Sequence, residues 1–299
     1  MSLLKHFGRK LAAFGAIAAT ACAAPAAEPA AASPAMWKVA DQDTTIYLFG
    51  TIHLLPKDTK WRSPAFDQAA AGSDTLVVET VIDEANPVAT VTELFKLAQS
   101  DGLPPLAERV QPDKKAALAA AVAKSGLPPQ VFDKLETWAA AFLLLGVQFK
   151  DLGLDPGSGV ETALKKQFQA PGKSIGQLET NAEQLGFFDR LSEDAQRMFL
   201  AGVLEDPASM KTQFGGMLEA WSRGDVKGIA DSFNSDLGDA PELRDALLAR
   251  RNANWARWVK GRLDQPGTVL VAVGAGHLAG DQSVLTMLEG QGVKVTRVQ

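Results

Sequence analysis

Two stretches of the chain carry the same local arrangement of residues that could do chemistry. Thr44 to Pro56 reads TTIYLFGTIHLLP, and Thr268 to Gly280 reads TVLVAVGAGHLAG. Each is a short apolar run stopped by a glycine, with a histidine three residues on: Gly50/His53 and Gly274/His277. A third apolar run, Leu76-Val77-Val78, ends in Glu79. Two neutral imidazoles and a carboxylate form a donor set for a divalent transition metal that keeps open positions for water. Such an ion lowers the pKa of its water and polarises a carbonyl. Without an ion, a histidine and Glu79 can activate water by general base catalysis. The sequence has three histidines. The remaining one, His6, lies in a segment read below as removed.

The apolar runs read as strands buried on both faces of a sheet. In open α/β sheets, ligands bind beyond the carboxyl ends of the strands, where His53, Glu79 and His277 all fall. Adjacent strands would bring the three side chains together. Gly50 and Gly274 lack a β-carbon, so the chain can turn sharply and bring backbone close to a ligand. Gly274-Ala275-Gly276 could aim backbone N–H groups at an oxyanion. Glu179 also ends a strand and reads as a further acidic ligand, a general base or a hydrogen-bond partner. Arg251 and Asn252 suit a substrate carboxylate or carbonyl, or a carboxylate of the site. Glu161 opens a helix and is expected to favour its dipole.

The elements around these residues alternate. Met36–Ala40 and Thr44–Phe49 read as a hairpin. A helix from Pro64 to Ala71, capped by Ser63, leads to a strand at Thr75–Glu79. This crossover makes the strands at 44 and 75 parallel neighbours. Helices are expected at Pro87–Gln99, Pro112–Lys124, Pro129–Lys150 and Val160–Phe168, with a flexible turn at Asp155–Gly159. A strand at Ser174–Glu179 closes a second crossover. More helices run from Asn181 to about Phe233, a long one from Pro241 to Leu263, another from Ser283 to Glu289, and a last strand covers Lys294–Val298. The fold class is α/β: a central mixed, largely parallel sheet with flanking helices. A helical insertion of about residues 87–240 is expected to cap the strand ends. One domain spans 36–299, and no internal repeat is visible.

Residues 1–26 are different material. A basic start (Lys5, Arg9, Lys10) leads into an alanine-rich apolar run and Ala-x-Ala sites, the order of a secretory signal. Residues 27–35 read as an unstructured Ala/Pro tether. The expected address is periplasmic or secreted, with lipoprotein acylation at Cys22 as a minor alternative. Cys22 is the only cysteine, so the processed chain has no thiol nucleophile, thiolate metal site or disulfide. Loss of three basic residues from the signal leaves 27 basic against 35 acidic side chains. That balance disfavours nucleic acid and anionic lipid as partners. The apolar stretch Trp138–Val147 is too short to span a bilayer. There is no Gly-x-x-x-x-Gly-Lys, His-Glu-x-x-His or Gly-x-Ser-x-Gly.

In order, YLFGTIHLLP, LVVET, GKSIGQLET, RRNANWARWVK and VLVAVGAGHLAGDQSVLTMLEGQGVKVTRV resemble the TraB/PrgY/GumN family, in its GumN-like branch. The resemblance spans about Met36 to Gln299, and its opening and closing motifs are the specific ones. It implies kinship to the Tiki metalloproteases and, more distantly, to erythromycin esterases and haem-binding ChaN proteins. It implies a site of His53, Glu79 and His277, acting as catalytic residues and metal ligands. Gly50, Gly274, Gly276, Arg251 and Asn252 would then contact substrate. Arg250 stands where an acidic residue often precedes the Arg-Asn pair. The expected activity is a metal-dependent hydrolase, a peptidase using Mn, Co or Zn on a peptide or small-molecule substrate. A metal-free esterase-like hydrolase and a non-catalytic peptide- or haem-binding protein are the alternatives.

Overall fold

The computed structural model describes residues 32–81, 92, 95–100, 102–237 and 240–299. The signal at 1–26, most of the tether and most of the helix expected at Pro87–Gln99 lie outside the described residues. The end of the tether is packed: the Ser33 N–H donates to the Ser222 carbonyl at 2.7 Å, and Ala35 is buried.

In chain order the elements are β1 (Met36–Ala40), β2 (Thr44–Thr51), β3 (Leu55–Pro56), α1 (Pro64–Gly72), β4 (Thr75–Val78), α2 (Lys115–Ser125), α3 (Pro129–Asp133), α4 (Thr137–Asp151) and β5 (Leu154–Asp155). Then follow α5 (Val160–Gln169), β6 (Ser174–Gln177), α6 (Asn181–Asp189), α7 (Glu193–Val203), α8 (Pro207–Ser222) and α9 (Val226–Leu237). The long helix is α10 (Pro241–Arg244), a π-helical segment Asp245–Ala249 and α11 (Arg250–Arg262). The chain ends with β7 (Gly267–Gly274), a 3₁₀ turn Ala275–Leu278, α12 (Val284–Gly290) and β8 (Thr296–Arg297).

Six strands form one sheet in the order β6-β4-β7-β2-β1-β8. Four consecutive strands, β6, β4, β7 and β2, are parallel, and β1 and β8 run antiparallel to their neighbours. This is the α/β sheet expected. One detail differs: β4 is not beside β2, because the late strand β7 inserts between them. A crossover rule fixes the hand and direction of two strands, and leaves room for a third. The insertion puts the Gly274 strand at the centre, flanked by the strands that precede His53 and Glu79.

β7 shows why its sequence is continuously apolar. Leu270 and Ala272 pack on one face with Phe66 of α1, Leu164 of α5 and Trp221 of α8. Val269, Val271 and Val273 pack on the other with Trp255 and Val259 of α11 and Leu288 of α12. A strand covered on both faces has no solvated side and therefore no alternation.

The expected helical insertion is interrupted, since Ser174–Gln177 returns as an edge strand. The helix expected at Pro129–Lys150 is two helices. Between them Leu135 bridges to Gln99, and the Glu136 N–H bonds the Ala98 carbonyl. A separate core of α2, α4 and α7 forms around Trp138, with Phe142, Phe188 and Phe199 meeting edge to face nearby. The turn expected at Asp155–Gly159 begins as β5, paired antiparallel with β3. Among the described residues, no helix is long and apolar enough to cross a membrane.

Candidate functional site

β2 and β7 run side by side to the point where Thr51 pairs with Gly274. β4 stops at Val78, opposite Ala272, so Glu79 emerges beside the end of β7. The Gly274 N–H donates to Glu79 Oε1 at 2.7 Å. That donor is therefore spent on the site's own carboxylate and is not free for an oxyanion.

Gly274 has φ −49° and ψ 134°, a conformation open to most residues. Space, and not the backbone angle, favours glycine there. A β-carbon on Gly274 would lie 3.2 Å from Glu79 Oε1, 3.4 Å from His53 Nε2 and 3.5 Å from His277 Cδ2. The two imidazoles and the carboxylate thus surround one point at the end of β7. Glu79 Oε1 is 3.8 Å from His53 Nε2 and 3.9 Å from His277 Nε2.

Each side chain is held by further groups. Arg251 carries most of the load. Its Nη2 donates to Glu79 Oε2 at 2.6 Å, and its Nε reaches both oxygens of Glu179 at 3.0 and 3.1 Å. The guanidinium lies over Trp255, 4.7 Å from the ring centre. Arg251 is the second residue of α11, just after a π-helical segment, a distortion often found at functional sites. Gln184 of α6 donates to Glu79 Oε2 at 3.1 Å. That helix is anchored by a reciprocal cap between Thr180 and Glu183.

The state of His277 follows from its neighbours. Asn252 Nδ2 donates to the Gln282 carbonyl at 2.7 Å, which leaves Oδ1 to accept from His277 Nδ1 at 2.6 Å. His277 Nε2 then accepts from Arg251 Nη1 at 3.1 Å. Burial, with Arg251 and His53 adding to it against Glu79, pushes His277 down to about 3. It is a neutral imidazole with its lone pair on Nε2.

His53 is the opposite case. Its Nδ1 lies 2.6 Å from Glu161 Oε1, and Thr51 donates to the same oxygen. Its crowded setting opposes a charge, but Glu161, by charge and hydrogen bond, and then Glu79 lift the ring to about 9. Burial also opposes ionisation of Glu79. His277, His53, Arg251 and the Gly274 N–H outweigh it and hold Glu79 at about 2. Since His277 is neutral above about 3, the cations that matter near neutrality are His53 and Arg251. Burial raises Glu179, with Arg251 opposing it. Glu161 is lowered: burial works against its charge, and His53 and Thr51 overcome it.

The Glu161–His53 pair was not visible in the sequence, where Glu161 reads as a dipole partner. A small ribbon builds it. β3 pairs with β5, and the Val160 N–H donates to the Ile52 carbonyl at 3.2 Å. The start of α5 is thereby held against the His53 loop. His53, Glu79, Glu161, Gln184, Thr80 and Lys165 line a cleft of about 260 Å³ at this point.

The remaining expected residues do not line this cleft. Gly50 packs against Ala275, and its carbonyl accepts from Trp221 Nε1 at 2.8 Å. Gly276 is covered by the Phe233 ring. Asn252 and Gly276 line a different cavity, of about 410 Å³, between α9 and the long helix. Arg250 is exposed and pairs with Asp245.

The profile of the TraB/PrgY/gumN family matches residues 35–297. The chain belongs to this family. The TraB/PrgY/gumN match takes in all six strands of the sheet and every residue of the site. Two relatives agree with it: proteins described as "Uncharacterized protein YbaP" from Escherichia coli (strain K12) and Shigella flexneri. Each is 23% identical over 245 residues, covering 81% of this chain and 87% of the relative. No solved structure matches the chain.

The site can be tested for a metal on its own donors. His53 Nε2 and Glu79 Oε1 face the space that a β-carbon on Gly274 would fill, and His277 borders it through Cδ2, the ring atom next to Nε2. Around an ion with bonds of about 2.1 Å, tetrahedral donors stand roughly 3.4 Å apart. The spacings from Glu79 Oε1 are within half an ångström of that. The second nitrogen of each ring is held by Glu161 or Asn252, as metal-bound histidines usually are. As placed, no three such side chains among the described residues are already at ion-binding distances. Arg251 Nη1 would have to yield the His277 lone pair. His53, raised to about 9, would also have to release its Nε2 proton to the ion. With those two adjustments the donor set fits.

Proposed function

We propose that the chain is a hydrolase that activates water in the space over Gly274, with His53, Glu79 and His277 holding a divalent cation of the Mn, Co or Zn kind. The reading rests on one observation: the two imidazoles and the carboxylate surround a single point that Gly274 leaves open. A bound ion would acidify a water and polarise the carbonyl under attack. Everything else is done by the chain. Glu161 fixes the His53 ring and presents Nε2. Asn252 fixes the tautomer of His277 and presents its Nε2. Arg251 and Gln184 occupy Glu79 Oε2 and leave Oε1 turned toward the reacting space. Peptides are the proposed substrates, and residues 1–26 are proposed to export the chain to the periplasm or beyond.

The test is hydrolysis of a peptide library by the purified protein, before and after chelation and with Mn, Co or Zn restored. His53→Ala and His277→Ala accompany it. Loss on chelation, recovery with one ion and loss in both variants support the reading. Activity unchanged by all of these refutes it.

A second reading is favoured by the Arg251 Nη1 contact to His277 Nε2, which occupies one of the two lone pairs. In it no ion is needed. His53 acts in its neutral form, which dominates only above about pH 9. Nε2 then takes a proton from water, and Glu161 stabilises the imidazolium that results. Activity by this route rises with pH toward 9. Full activity in exhaustively chelated protein, abolished by Glu161→Gln, separates this route from the first.

A further inference from the structure

Lys165 lines the cleft beside His53 and Glu79. It stands one helical turn after Glu161 on α5, the spacing at which an acid and a lysine commonly pair. They do not pair here, because Glu161 is turned inward to His53 and Thr51. Among the described residues, no carboxylate lies within ion-pair distance of Lys165.

The acids of the site are already engaged. Glu79 Oε1 accepts from Gly274, and Oε2 accepts from Arg251 and Gln184. Glu161 is taken by His53 and Thr51, and Glu179 by Arg251. A substrate ammonium entering the cleft would have to displace an internal partner. A substrate carboxylate would meet a lysine that has none among the described residues. We infer that Lys165 receives a substrate carboxylate, so that the cleft selects peptides by a negative charge close to the bond presented to His53 and Glu79. This rests on the cleft being the place of turnover. A carboxylate can come from the peptide's carboxyl terminus or from an Asp or Glu side chain. The cleft offers the same partner to both.

Equilibrium binding to the chain lacking its signal tests the inference apart from catalysis. Three fluorescent N-acylated probes are used: Ala-Ala-Ala with a free carboxyl terminus, the same peptide as its amide, and Ala-Asp-Ala amide. The free acid is expected to bind about tenfold more tightly than its amide. Lys165→Ala should shrink that ratio to within about twofold, and Lys165→Arg should restore most of it. If Ala-Asp-Ala amide matches the free acid, the charge is read wherever it comes from. If it binds like the uncharged amide, the terminus is read. Equal binding of acid and amide, a preference that survives Lys165→Ala, or no binding of any probe overturns the inference. Hydrolysis of the same probes is scored separately. Selective binding without cleavage leaves Lys165 its role and sinks the hydrolase reading. Cleavage without selectivity does the reverse.

Discussion

Gly159 lies against the backbone of His53 so closely that a β-carbon on it would overlap the His53 carbonyl oxygen and stand 2.8 Å from its carbonyl carbon. Neither atom can swing away, as a side chain could. Gly159→Ala must therefore move the His53 loop or the start of α5, which carries Glu161. Misplacing a reacting group by about an ångström can cost on the order of 100-fold in rate. The variant is expected to lose about 10- to 100-fold in turnover and roughly 1–3 kcal/mol of stability. Gly146→Ala is the control, since a β-carbon there meets nothing within 4 Å. Kinetics and chemical denaturation of both variants decide it. Equal turnover in the two would mean that the loop adjusts freely.

Arg251 separates two buried carboxylates. Its removal leaves Glu79 and Glu179 near one another without a cation, and breaking a buried pair costs about 3–5 kcal/mol. Arg251→Ala should be destabilised by that order at pH 7. Adding Glu179→Gln should recover part of the loss, because one of the stranded charges is gone. Denaturation of the single and double variants forms a cycle. Additive losses would mean that Arg251 is not what reconciles the two acids.

The three shifted groups give the ion-free protein a defined pH profile. Glu79 is held at about 2 against an ordinary 4.5. Its contribution is present above 4.5 and lost as pH falls toward 2. His277 is held at about 3 against an ordinary 6.5. The unfolded chain takes up that proton first, so stability also falls as pH drops from 6.5 to 3. His53 is raised to about 9. Its contribution is full below 6.5 and disappears as pH rises through 9. The His53 side chain is 61% exposed, so solvent screens it and the alkaline limb should be shallow. Stability of the chelated protein should peak near pH 6.5, and His277→Gln should flatten the limb between 6.5 and 3. An acid limb identical in that variant would contradict a buried neutral His277.

The parts of this site that the sequence shows are those carried by strand ends. Continuous apolar runs, stopped by glycine or followed by an acid, place His53, Glu79 and His277 at carboxyl ends, because burial on both faces of a sheet leaves a local pattern. Strand order is not local. The late strand β7 enters between β2 and β4, and nothing in the crossover linking residues 44–51 to 75–78 announces it. The partners of the site are also non-local. Glu161 reaches His53 through a ribbon of two residues per strand, too short to show any period. Gln184 is one polar residue on an ordinary helix. Arg251 and Asn252 could be marked as carboxylate or substrate binders, but their division between Glu79, Glu179 and His277 depends on the turn of the long helix. The glycines show a further limit. Sequence suggests a sharp turn at Gly274, whereas its backbone angles suit most residues and the demand is for empty space.

That demand makes Gly274→Ala the sharpest test of the site. The backbone tolerates alanine, and the new methyl would meet Glu79 and the two imidazoles at 3.2 to 3.5 Å. These are side chains, which can give by a few tenths of an ångström, so the fold should survive with a loss of about 1 kcal/mol. The space they surround would be filled. Turnover should fall at least about 100-fold, with any Mn, Co or Zn binding lost in parallel. Gly50→Ala makes the comparison, because its β-carbon would instead meet Ala275 at 3.1 and 3.2 Å, away from the three donors. It is expected to cost stability more than chemistry. If Gly274→Ala turned over substrate normally, water would be activated elsewhere, and the convergence of His53, Glu79 and His277 would be a feature of packing.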